Sequence, residues 1–469
     1  MDITRYTTEL EQFRYRVYQN FNKRADTLLD LVDAVCSSPE TDSVVRLSLS
    51  AVYRRSYSTI FKGMDEMKVS PLLLAEVVTP YLRRPTVRPF WLIGVDVTPQ
   101  PRPYARTLAD RGMVYAPTVV KDNKPVTIGH AYSTIALLPE AEAGVSSSWV
   151  VPLMTARVTT ANHKEMVGAG QIDALLEDRE LPFGDDLCVE VGDTNYSTPS
   201  YLQAHRKHKN LVSMARVRSN RTFYYQPAAP CGEQTGAGHP TWYGERFSLS
   251  DPATWSEPDE RLTRTETSRR GKLYRIEIQA WRNLLMRGKR TPPLPMHHYP
   301  FTLVRVVRYD AEGKLLDHRP LWLIVIGERR HELSLPNSFD AYRQRFDLEH
   351  FFRFGKQKLL MDACQTPEVD HEENWWQLTH IAYSQLWMAR HLVHALPNPW
   401  QRNLPAIKNR LISPTLAQRD FGRIIRQIGT PAQPPKPRFI SPGRPLGTKL
   451  PPRPQPKVVV KSHIHDNTT

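Results

Sequence analysis

The chain has 469 residues, an apolar fraction of 40%, four cysteines and a formal net charge of +15, which allows two or three domains with sizeable cores. The basic balance favours a polyanionic partner, and the scattered cysteines, none in a CxxC pair, indicate a reduced, cytosolic protein rather than a disulfide framework. The sequence shows no signal peptide, no apolar run of membrane-spanning length, no GxxxxGK[ST] phosphate loop and no GxSxG elbow, which argues against a membrane protein, an NTPase or a serine hydrolase.

Residues 1–84 predict a helical N-terminal domain that binds DNA. Apolar residues recur at near-helical steps over 8–36, and a second amphipathic stretch covers 42–64. Arg54 and Arg55 are interleaved with tyrosines in the second stretch, as in a helix that reads DNA. A packing or dimerising helix with exposed arginines explains the same pattern equally well.

Residues 85–218 change to a strand-rich pattern typical of an α/β domain. A run of apolar strands is followed by a helix over 162–176, a strand over 185–193, a helix over 196–208 and a strand over 211–218. Asp96 and Asp193 each end one of the apolar strands, which is where α/β sheets carry their functional groups.

The rest of the chain divides into three further parts. Residues 219–335 are rich in turns and strands and predict a β-rich insertion, and residues 336–400 return to helix. Residues 401–469 form a C-terminal extension that is proline-rich and basic from about residue 431. Apolar residues are too sparse there for a core, so we expect a disordered tail whose Lys and Arg make nonspecific phosphate contacts.

The most informative segment is DAYRQRFDLEHFFRFGKQ, at residues 340–357. On one straight helix, a stripe about 60° wide collects an acid, a phenol and several cations: Tyr342, Arg345, Glu349, Arg353 and Lys356. Such a face suits a metal ion held against a phosphate, because the carboxylate binds the metal and the cations bind phosphate oxygens. A solvated helix with i,i+3 and i,i+4 ion pairs is the alternative interpretation.

The spacing Tyr-x2-Arg-x3-Glu-x6-Lys resembles the box around the third acid of DDE transposases of the bacterial insertion-sequence type, specifically the IS-four-like cut-and-paste group. Gly192, Asp193 and Tyr196 resemble the second acidic box of that family, although Asn195 stands where the family commonly has a small residue. The resemblance covers residues from about 90 to 400. It implies a ribonuclease-H-like α/β catalytic domain interrupted by a β-rich insertion.

The resemblance implies that Asp96, Asp193 and Glu349 are the catalytic acids and the metal ligands. Converging carboxylates hold two Mg²⁺ or Mn²⁺ ions about 3.5–4 Å apart in such sites. Three other acids compete for these roles: Asp186, Glu190 and Glu328. Glu190 lies inside its strand, where alternation makes it a solvated residue, and Glu328 lacks the Tyr, Arg and Lys accompaniment.

The resemblance also implies residues that contact DNA. Tyr342, Arg345 and Lys356 are expected to grip phosphates near the transposon end. Arg353, on the same stripe, and Arg218, beside the end of the sheet, are further candidates, and a solvated strand edge explains Arg218 equally well. Arg54 and Arg55 add a possible contact from the N-terminal domain. The insertion of this family offers an aromatic ring on which a flipped base stacks, and three tryptophans qualify, with core packing as the alternative for each: Trp242, Trp255 and Trp281.

The sequence thus predicts a transposase that binds terminal inverted repeats, cleaves both strands and joins the 3′-OH ends to target DNA. The expected partners are double-stranded DNA, at the transposon ends and at the target, and a second copy of the chain in a homodimeric synaptic complex, with no membrane. The expected location is the cytoplasm of a prokaryote, at the nucleoid. The alternatives are a ribonuclease-H-like nuclease without strand transfer and a transposase-derived DNA-binding protein that has lost catalysis.

Overall fold

The computed structural model describes residues 3–116, 125–227, 242–268, 271–289, 293–394, 411–437, 443–449, 451–452 and 454–459. The helices of this part are α1 (Ile3–Asn20), α2 (Ala25–Ser37), α3 (Ser58–Glu66), α4 (Leu73–Val78), α5 (Lys164–Glu177), α6 (Pro199–Ala204), α7 (Leu335–Gln344), α8 (Asp347–Lys358), α9 (Val369–Ala389) and α10 (Pro414–Ile428). The strands are β1 (Trp91–Pro101), β2 (Gly112–Tyr115), β3 (Val126–Leu137), β4 (Val151–Val158), β5 (Cys188–Gly192), β6 (Leu211–Val217), β7 (Thr222–Tyr224), β8 (Arg246–Ser248), β9 (Glu260–Thr267), β10 (Leu273–Leu284), β11 (Phe301–Asp310) and β12 (Leu321–Ile326).

One mixed sheet forms the centre of the molecule. Its strands run in the order β2-β3-β1-β5-β6-β12-β11-β10-β9, and β4 pairs with β3 beside β2. The β1, β5 and β6 strands are parallel to one another, whereas β3 is antiparallel to β1. With helices at both ends of the chain, this mixed α/β architecture is compatible with the predicted ribonuclease-H-like domain.

The strands β1 and β5, which carry the predicted acids, lie in the middle of the sheet, and their apolar residues cover both faces. The first five residues of β1, WLIGV, and all of β5, CVEVG, are buried. Parallel strands covered on both faces have such continuous apolar runs, whereas a half-exposed strand alternates. The apolar runs therefore explain why β1 and β5 lie side by side in the middle of the sheet.

The strands of the predicted insertion extend this same sheet. The β12 strand pairs antiparallel with β6, and β11, β10 and β9 follow in antiparallel order. Only β7 and β8, among the described strands, form a separate two-stranded sheet. Hydrogen bonding between β6 and β12 thus joins the region 219–335 directly to the strand that follows the second acid.

The helices pack around α9, which is buried over most of its length. The α1, α2 and α10 helices contact α9, so the first and last helices of the described residues meet at one helix. The helical pattern over 8–36 is split, because the chain turns at Arg24, whose φ of 56° is left-handed. The second stretch, 42–64, is also not one helix: it contains a 3₁₀ turn at Val45–Leu49, a loop and then the start of α3.

The C-terminal tail is only partly within the described residues. Residues 443–449 and 454–459 contain no helix or strand and are exposed, whereas 438–442 and 460–469 lie outside the described residues. Ala432 is 4% exposed, and Arg55 donates a hydrogen bond to the carbonyl oxygen of Gln433. The start of the predicted tail, around residue 431, is therefore packed against the N-terminal helices. Among the described residues, no helix is both long and apolar enough to cross a membrane.

Candidate active site

Adjacent strands bring Asp96 and Asp193 together. The β1–β5 ladder pairs Trp91 with Cys188 and Gly94 with Val191, and continuing that register by two residues places Asp96 opposite Asp193. Neighbouring strands lie about 4.8 Å apart. The two carboxylates therefore sit side by side where the pairing of β1 with β5 ends.

The position of Asp96 along β1 differs from the predicted one. It does not end β1, because the strand continues to Pro101 while pairing with β3. The end of the β1–β5 ladder, rather than the end of β1, opens the space around this carboxylate. Its side chain is 20% exposed, and the backbone N–H of Val97 donates to Oδ1 at 2.8 Å.

Asp193 follows β5 directly, as predicted, and Asn195 fixes its carboxylate. The backbone N–H of Asn195 donates to Oδ1 and the side-chain Nδ2 donates to Oδ2, both at 2.7 Å. Tyr196 then folds back over Gly192, where a Cβ atom would lie 2.7 Å from the tyrosine ring. The residue that departs from the family pattern is thus the one that orients the second acid, and the Asx-turn propensity of Asp-x-Asn is the sequence signal for it.

Glu349 reaches the same place because α8 lies directly on β1. A Cβ atom at Gly94 would lie 2.7 Å from Cδ1 of Leu348, so glycine permits the close approach. Further along, Lys356 donates a hydrogen bond to the carbonyl oxygen of Pro99. The helix therefore runs along β1 with Glu349 in its first turn, where the helix dipole stabilises a negative charge.

Arg345 lies between two of the acids. Its guanidinium contacts Oδ2 of Asp96 at 3.3 Å and Oε1 of Glu349 at 3.2 Å. The straight helix predicted over 340–357 is wrong, because α7 ends at Gln344 and α8 begins at Asp347. The intervening turn has i→i+3 hydrogen bonds, including Arg345 N–H to the carbonyl of Tyr342, a tightening that often marks functional hinges.

The three acids and Arg345 form one electrostatic unit. Burial raises the pKa of Asp96 to about 6 against the lowering effect of Arg345. The charges of Asp193 and Glu349 add to the rise. Like charges raise a carboxyl pKa only when they are close, so the smaller contributions of Asp193 and Glu349 agree with carboxylates that lie near Asp96.

The donor chemistry of this cluster fits a hard divalent cation. Asp96, Asp193 and Glu349 offer carboxylate oxygens, the ligands that Mg²⁺ and Mn²⁺ prefer. Across the described ranges, however, no group of three or more His, Cys, Asp or Glu side chains is close enough to hold an ion. The guanidinium of Arg345 stands between two of the donors, so it must move before those donors share a metal.

The other predicted DNA-binding residues of this region are in different environments. Tyr342 is 9% exposed, with its ring centre 5.9 Å from the Arg345 guanidinium carbon. Lys356 is partly buried, and burial lowers the pKa of its ammonium group. Arg353 and Arg218 are exposed, and neither has an acidic partner among the residues described. Tyr342 and Arg345 therefore adjoin the acids, and Lys356 lies further along β1.

Arg54 and Arg55 are not on a helix, which corrects the predicted DNA-reading helix. They lie in the loop before α3, and both contact the buried carboxylate of Asp30, at 2.7 and 3.4 Å. Arg54 also donates to the carbonyl oxygen of Ala432 at 3.0 Å. These bonds tie the loop to α2 and to the residues after α10, because a buried carboxylate needs a cationic partner.

Two of the three competing acids are held by contacts outside the cluster, and the third is exposed. Glu190 is 1% exposed, which corrects the expected solvated position, and it accepts hydrogen bonds from Tyr201 and Ser213. Asp186 accepts a hydrogen bond from the Trp91 indole at 3.0 Å. Glu328 is exposed at the end of β12.

The tryptophans of the insertion separate into buried and exposed groups. Trp281 is 2% exposed and packs with Trp255 and Trp322, with ring centres within 6 Å of each other. Trp242 is 41% exposed and stacks on His297 at 4.7 Å with an interplanar angle of 2°. Trp242 is therefore the most exposed of the three candidates, with one face of its ring already stacked on His297.

Comparison with a family model identifies the family of this chain. A search of curated proteins found no match. The model of the family described as DDE superfamily endonuclease matches residues 16–287, more than half of the chain. The matched segment includes Asp96 and Asp193, whereas Glu349 lies beyond it. This chain belongs to the DDE superfamily of endonucleases, which are metal-dependent enzymes that cleave DNA.

Proposed function

We propose that the chain is a cut-and-paste transposase of the IS-four-like type, which binds terminal inverted repeats, cleaves the DNA and transfers the 3′-OH ends to a target. The observation that carries this proposal is the pairing of β1 with β5, whose continued register sets Asp96 opposite Asp193, with Glu349 linked to Asp96 through Arg345. Family membership supports the cleavage step.

Asp96, Asp193 and Glu349 would hold the divalent ions, Mg²⁺ or Mn²⁺. When bound, two such ions activate a nucleophile and stabilise the leaving oxygen of a phosphodiester. Asn195 keeps the Asp193 carboxylate oriented in advance, because its two donors fix both oxygens. Pre-set ligands lose less conformational freedom when the substrate arrives.

The cations beside the acids would bind the phosphates of the scissile region. Arg345 presents a planar guanidinium that can bind a phosphate through two hydrogen bonds. In the free protein this group is occupied by Asp96 and Glu349, at 3.3 and 3.2 Å. Exchange of these carboxylates for a DNA phosphate would release both acids for the metal, so DNA binding and metal binding support each other in this proposal.

By the same resemblance we propose that two copies of the chain assemble on paired DNA ends, at the nucleoid of a prokaryote. Arg353 and Arg218 are exposed cations and supply further phosphate contacts in this proposal. Arg54 and Arg55 have the weakest support as DNA ligands, since both are bonded to Asp30.

The test uses the native DNA that flanks the gene, with Mg²⁺, and measures cleavage and strand transfer separately. Asp193→Ala should lower both rates by at least about a thousandfold, because metal stabilisation of the transition state is worth several kcal/mol, while DNA binding persists. Glu328→Ala is the matched control, since this exposed acid also ends a strand and should retain activity.

Three outcomes would contradict the proposal. Cleavage without joining of the ends would identify a nuclease that lacks strand transfer. Specific binding without cleavage would identify a DNA-binding protein that has lost catalysis. Unchanged cleavage by Asp193→Ala would show that the acids are assigned wrongly.

A further inference from the structure

A groove between α7 and the outer part of the sheet opens next to the three acids. It has a volume of about 310 Å³, and its floor consists of apolar side chains from three neighbouring strands, Ile276, Val306 and Leu321. Cross-strand pairs place these residues on one face, because Val306 lies opposite Leu321 and Ile278, two residues along from Ile276. The α7 helix crosses the same face and forms the opposite wall.

Ion pairs fix α7 over the sheet and keep the groove open. Arg264 of β9 binds Asp340 of α7 at 2.6 Å, and Arg343 of α7 binds Glu266 of β9 at 2.8 Å. These two reciprocal pairs act between the same helix and the same strand. The separation of the walls is therefore set by the structure before any partner binds.

The rim of the groove is strongly basic. Five arginines line it, and Asp317 is the one acid among its lining residues: Arg216, Arg308, Arg319, Arg343 and Arg345. Asp317 accepts two hydrogen bonds from the Arg308 guanidinium, at 2.7 and 2.6 Å. Arg216 and Arg319 are exposed, and in the part of the chain that is described neither has a carboxylate within 4 Å.

The basic rim continues into the site of the acids. Arg345 lines the groove and also contacts Asp96 at 3.3 Å. Tyr342 lies between the two regions, close enough to Arg216 that this cation lowers the pKa of its phenol, although burial, the larger effect, raises it. A chain of cations therefore leads from the acids across Tyr342 to the outer sheet, along Arg345, Arg216 and Arg319.

We propose that this groove binds the phosphodiester backbone of the DNA strand as it leaves the cleavage site, with Arg216 and Arg319 each contacting a phosphate. The inference rests on the proposed function and adds a second DNA contact surface to it. Charge selects the partner: unpaired guanidinium groups around a pre-formed opening attract phosphates, and Arg binds them with a fixed geometry. The apolar floor leaves room for the sugars, which need no hydrogen-bond partner there.

The salt dependence of DNA binding tests this proposal. Binding of the full-length chain to a fluorescein-labelled 30-base-pair duplex is measured by anisotropy over a range of salt concentrations, without divalent ions. Each phosphate contact contributes about 0.9 to the slope of log K against log salt, so Arg319→Gln and Arg216→Gln should each lower affinity about eightfold at 0.1 M salt. The double variant should flatten the slope by about 1.8.

The matched control is Arg282→Gln. Arg282 is an exposed arginine of the same sheet, six residues from Ile276 along β10 and so about 20 Å from the groove floor. It should leave the slope unchanged, and the melting temperatures of all variants should match, because every substituted side chain is exposed.

The possible results separate the two proposals. Equal slopes for the double variant, Arg282→Gln and the wild type would overturn the groove proposal, even if metal-dependent cleavage by the wild type upheld the proposed function. A wild type that shows no salt-dependent binding of the duplex would overturn both. A loss of affinity without a change in slope would show that the arginines support the fold and do not contact phosphate.

Discussion

Arg345 forms an ion pair with Asp96 across 249 residues of sequence, with Nη1 3.3 Å from Oδ2. The contact joins the turn between α7 and α8 to the central strand of the sheet. It places a cation of the protein itself against two of the acids that the proposed function assigns to metal binding. A guanidinium and a divalent ion cannot both occupy that space, so the two should compete.

This competition predicts that Arg345→Gln increases the affinity of the free protein for Mn²⁺ while it lowers the cleavage rate. Removal of the guanidinium frees Asp96 and Glu349, and calorimetric titration without DNA should show binding several-fold tighter than in the wild type. Arg353→Gln is the control for the Mn²⁺ titration, because its side chain is on α8 but exposed and has no acidic partner among the described residues. Weaker Mn²⁺ binding by Arg345→Gln would show instead that Arg345 supports the metal ligands.

The raised pKa of Asp96 predicts that ionisation of this carboxyl group, which metal binding requires, destabilises the folded protein. Its ordinary pKa is 3.8 and its value in the folded chain is about 6, so the folded state binds the proton more tightly than the unfolded state. The resulting penalty is absent below about pH 3.8, develops between pH 3.8 and 6, and is complete above pH 6, where it reaches up to about 3 kcal/mol.

Asp96→Asn should therefore abolish cleavage and raise the melting temperature, by more at pH 7.5 than at pH 5. The measurement is thermal unfolding of both proteins at the two pH values without divalent ions. Mn²⁺ should then stabilise the wild type more than the variant, since only the wild type has the charged ligand. An equal temperature difference at both pH values would contradict the assigned ionisation of Asp96.

Asn195 is predicted to act as a positioning residue for Asp193. Asn195→Ala removes the Nδ2 donor at 2.7 Å and keeps the backbone donor, so the carboxylate keeps its place and loses part of its orientation. Losses of such supporting bonds typically cost ten- to a hundredfold in metal affinity or activity. We expect the cleavage rate to fall by about that amount at low Mn²⁺ and to recover partly at high Mn²⁺. A loss that Mn²⁺ does not relieve would mean that Asn195 acts in another way.

The tryptophans give a prediction about the insertion. Trp281 is 2% exposed within a cluster of aromatic rings, so Trp281→Ala should destabilise the fold by about 3–5 kcal/mol. Trp242→Ala should leave the unfolding temperature nearly unchanged, because its ring is 41% exposed. It should instead weaken binding of DNA with an unpaired base near the cut end. Equal binding of that DNA by wild type and Trp242→Ala would exclude a stacking role.

The sequence predicted the positions of the acids better than their surroundings. Asp193 follows a continuous apolar strand, and Glu349 lies in a motif whose spacing is local, so both could be located from nearby residues. The turn between α7 and α8 contains no Pro or Gly, so no helix-breaking residue indicates it in the sequence. The contact of Leu348 with Gly94 depends on tertiary packing. The partners of Arg54 and Arg55 are likewise set by tertiary structure, since the buried Asp30 belongs to another helix.

The groove beside the acids also depends on tertiary structure that the sequence pattern does not reveal. Its walls come from β6, β10, β11, β12 and α7, which are far apart along the chain. Arg319 follows Asp317 in a turn-rich segment, where a charged residue has no pattern to distinguish it. Only the pairing of β6 with β12 brings Arg216 and Arg319 to the same side of one sheet. Patterns of spacing cannot reveal a surface of this kind, because it depends on strand order.

The last prediction concerns the C-terminal tail. The structure indicates that the deletion that tests it should begin at residue 443 and not at residue 431. Residues 432 and 433 pack on the N-terminal helices, where the backbone N–H of Gln433 donates to Asp26 at 2.8 Å, so a deletion from residue 431 would also disturb the fold. Residues 443–469 contain five Lys and Arg and one Asp. Their deletion should reduce the salt dependence of binding to unrelated duplex DNA, through the loss of counterion release.

The preference of this shortened chain for its own terminal repeats over unrelated DNA should stay unchanged, because contacts of Lys and Arg with phosphates carry no sequence information. Anisotropy titrations of both duplexes at several salt concentrations provide the two quantities together. The deletion from residue 431 serves as the comparison and should lower the melting temperature, since it also removes the contacts with Asp26 and Arg55. A shortened chain that no longer distinguishes the repeats would show that the tail reads sequence, and its role as a nonspecific phosphate contact would then be wrong.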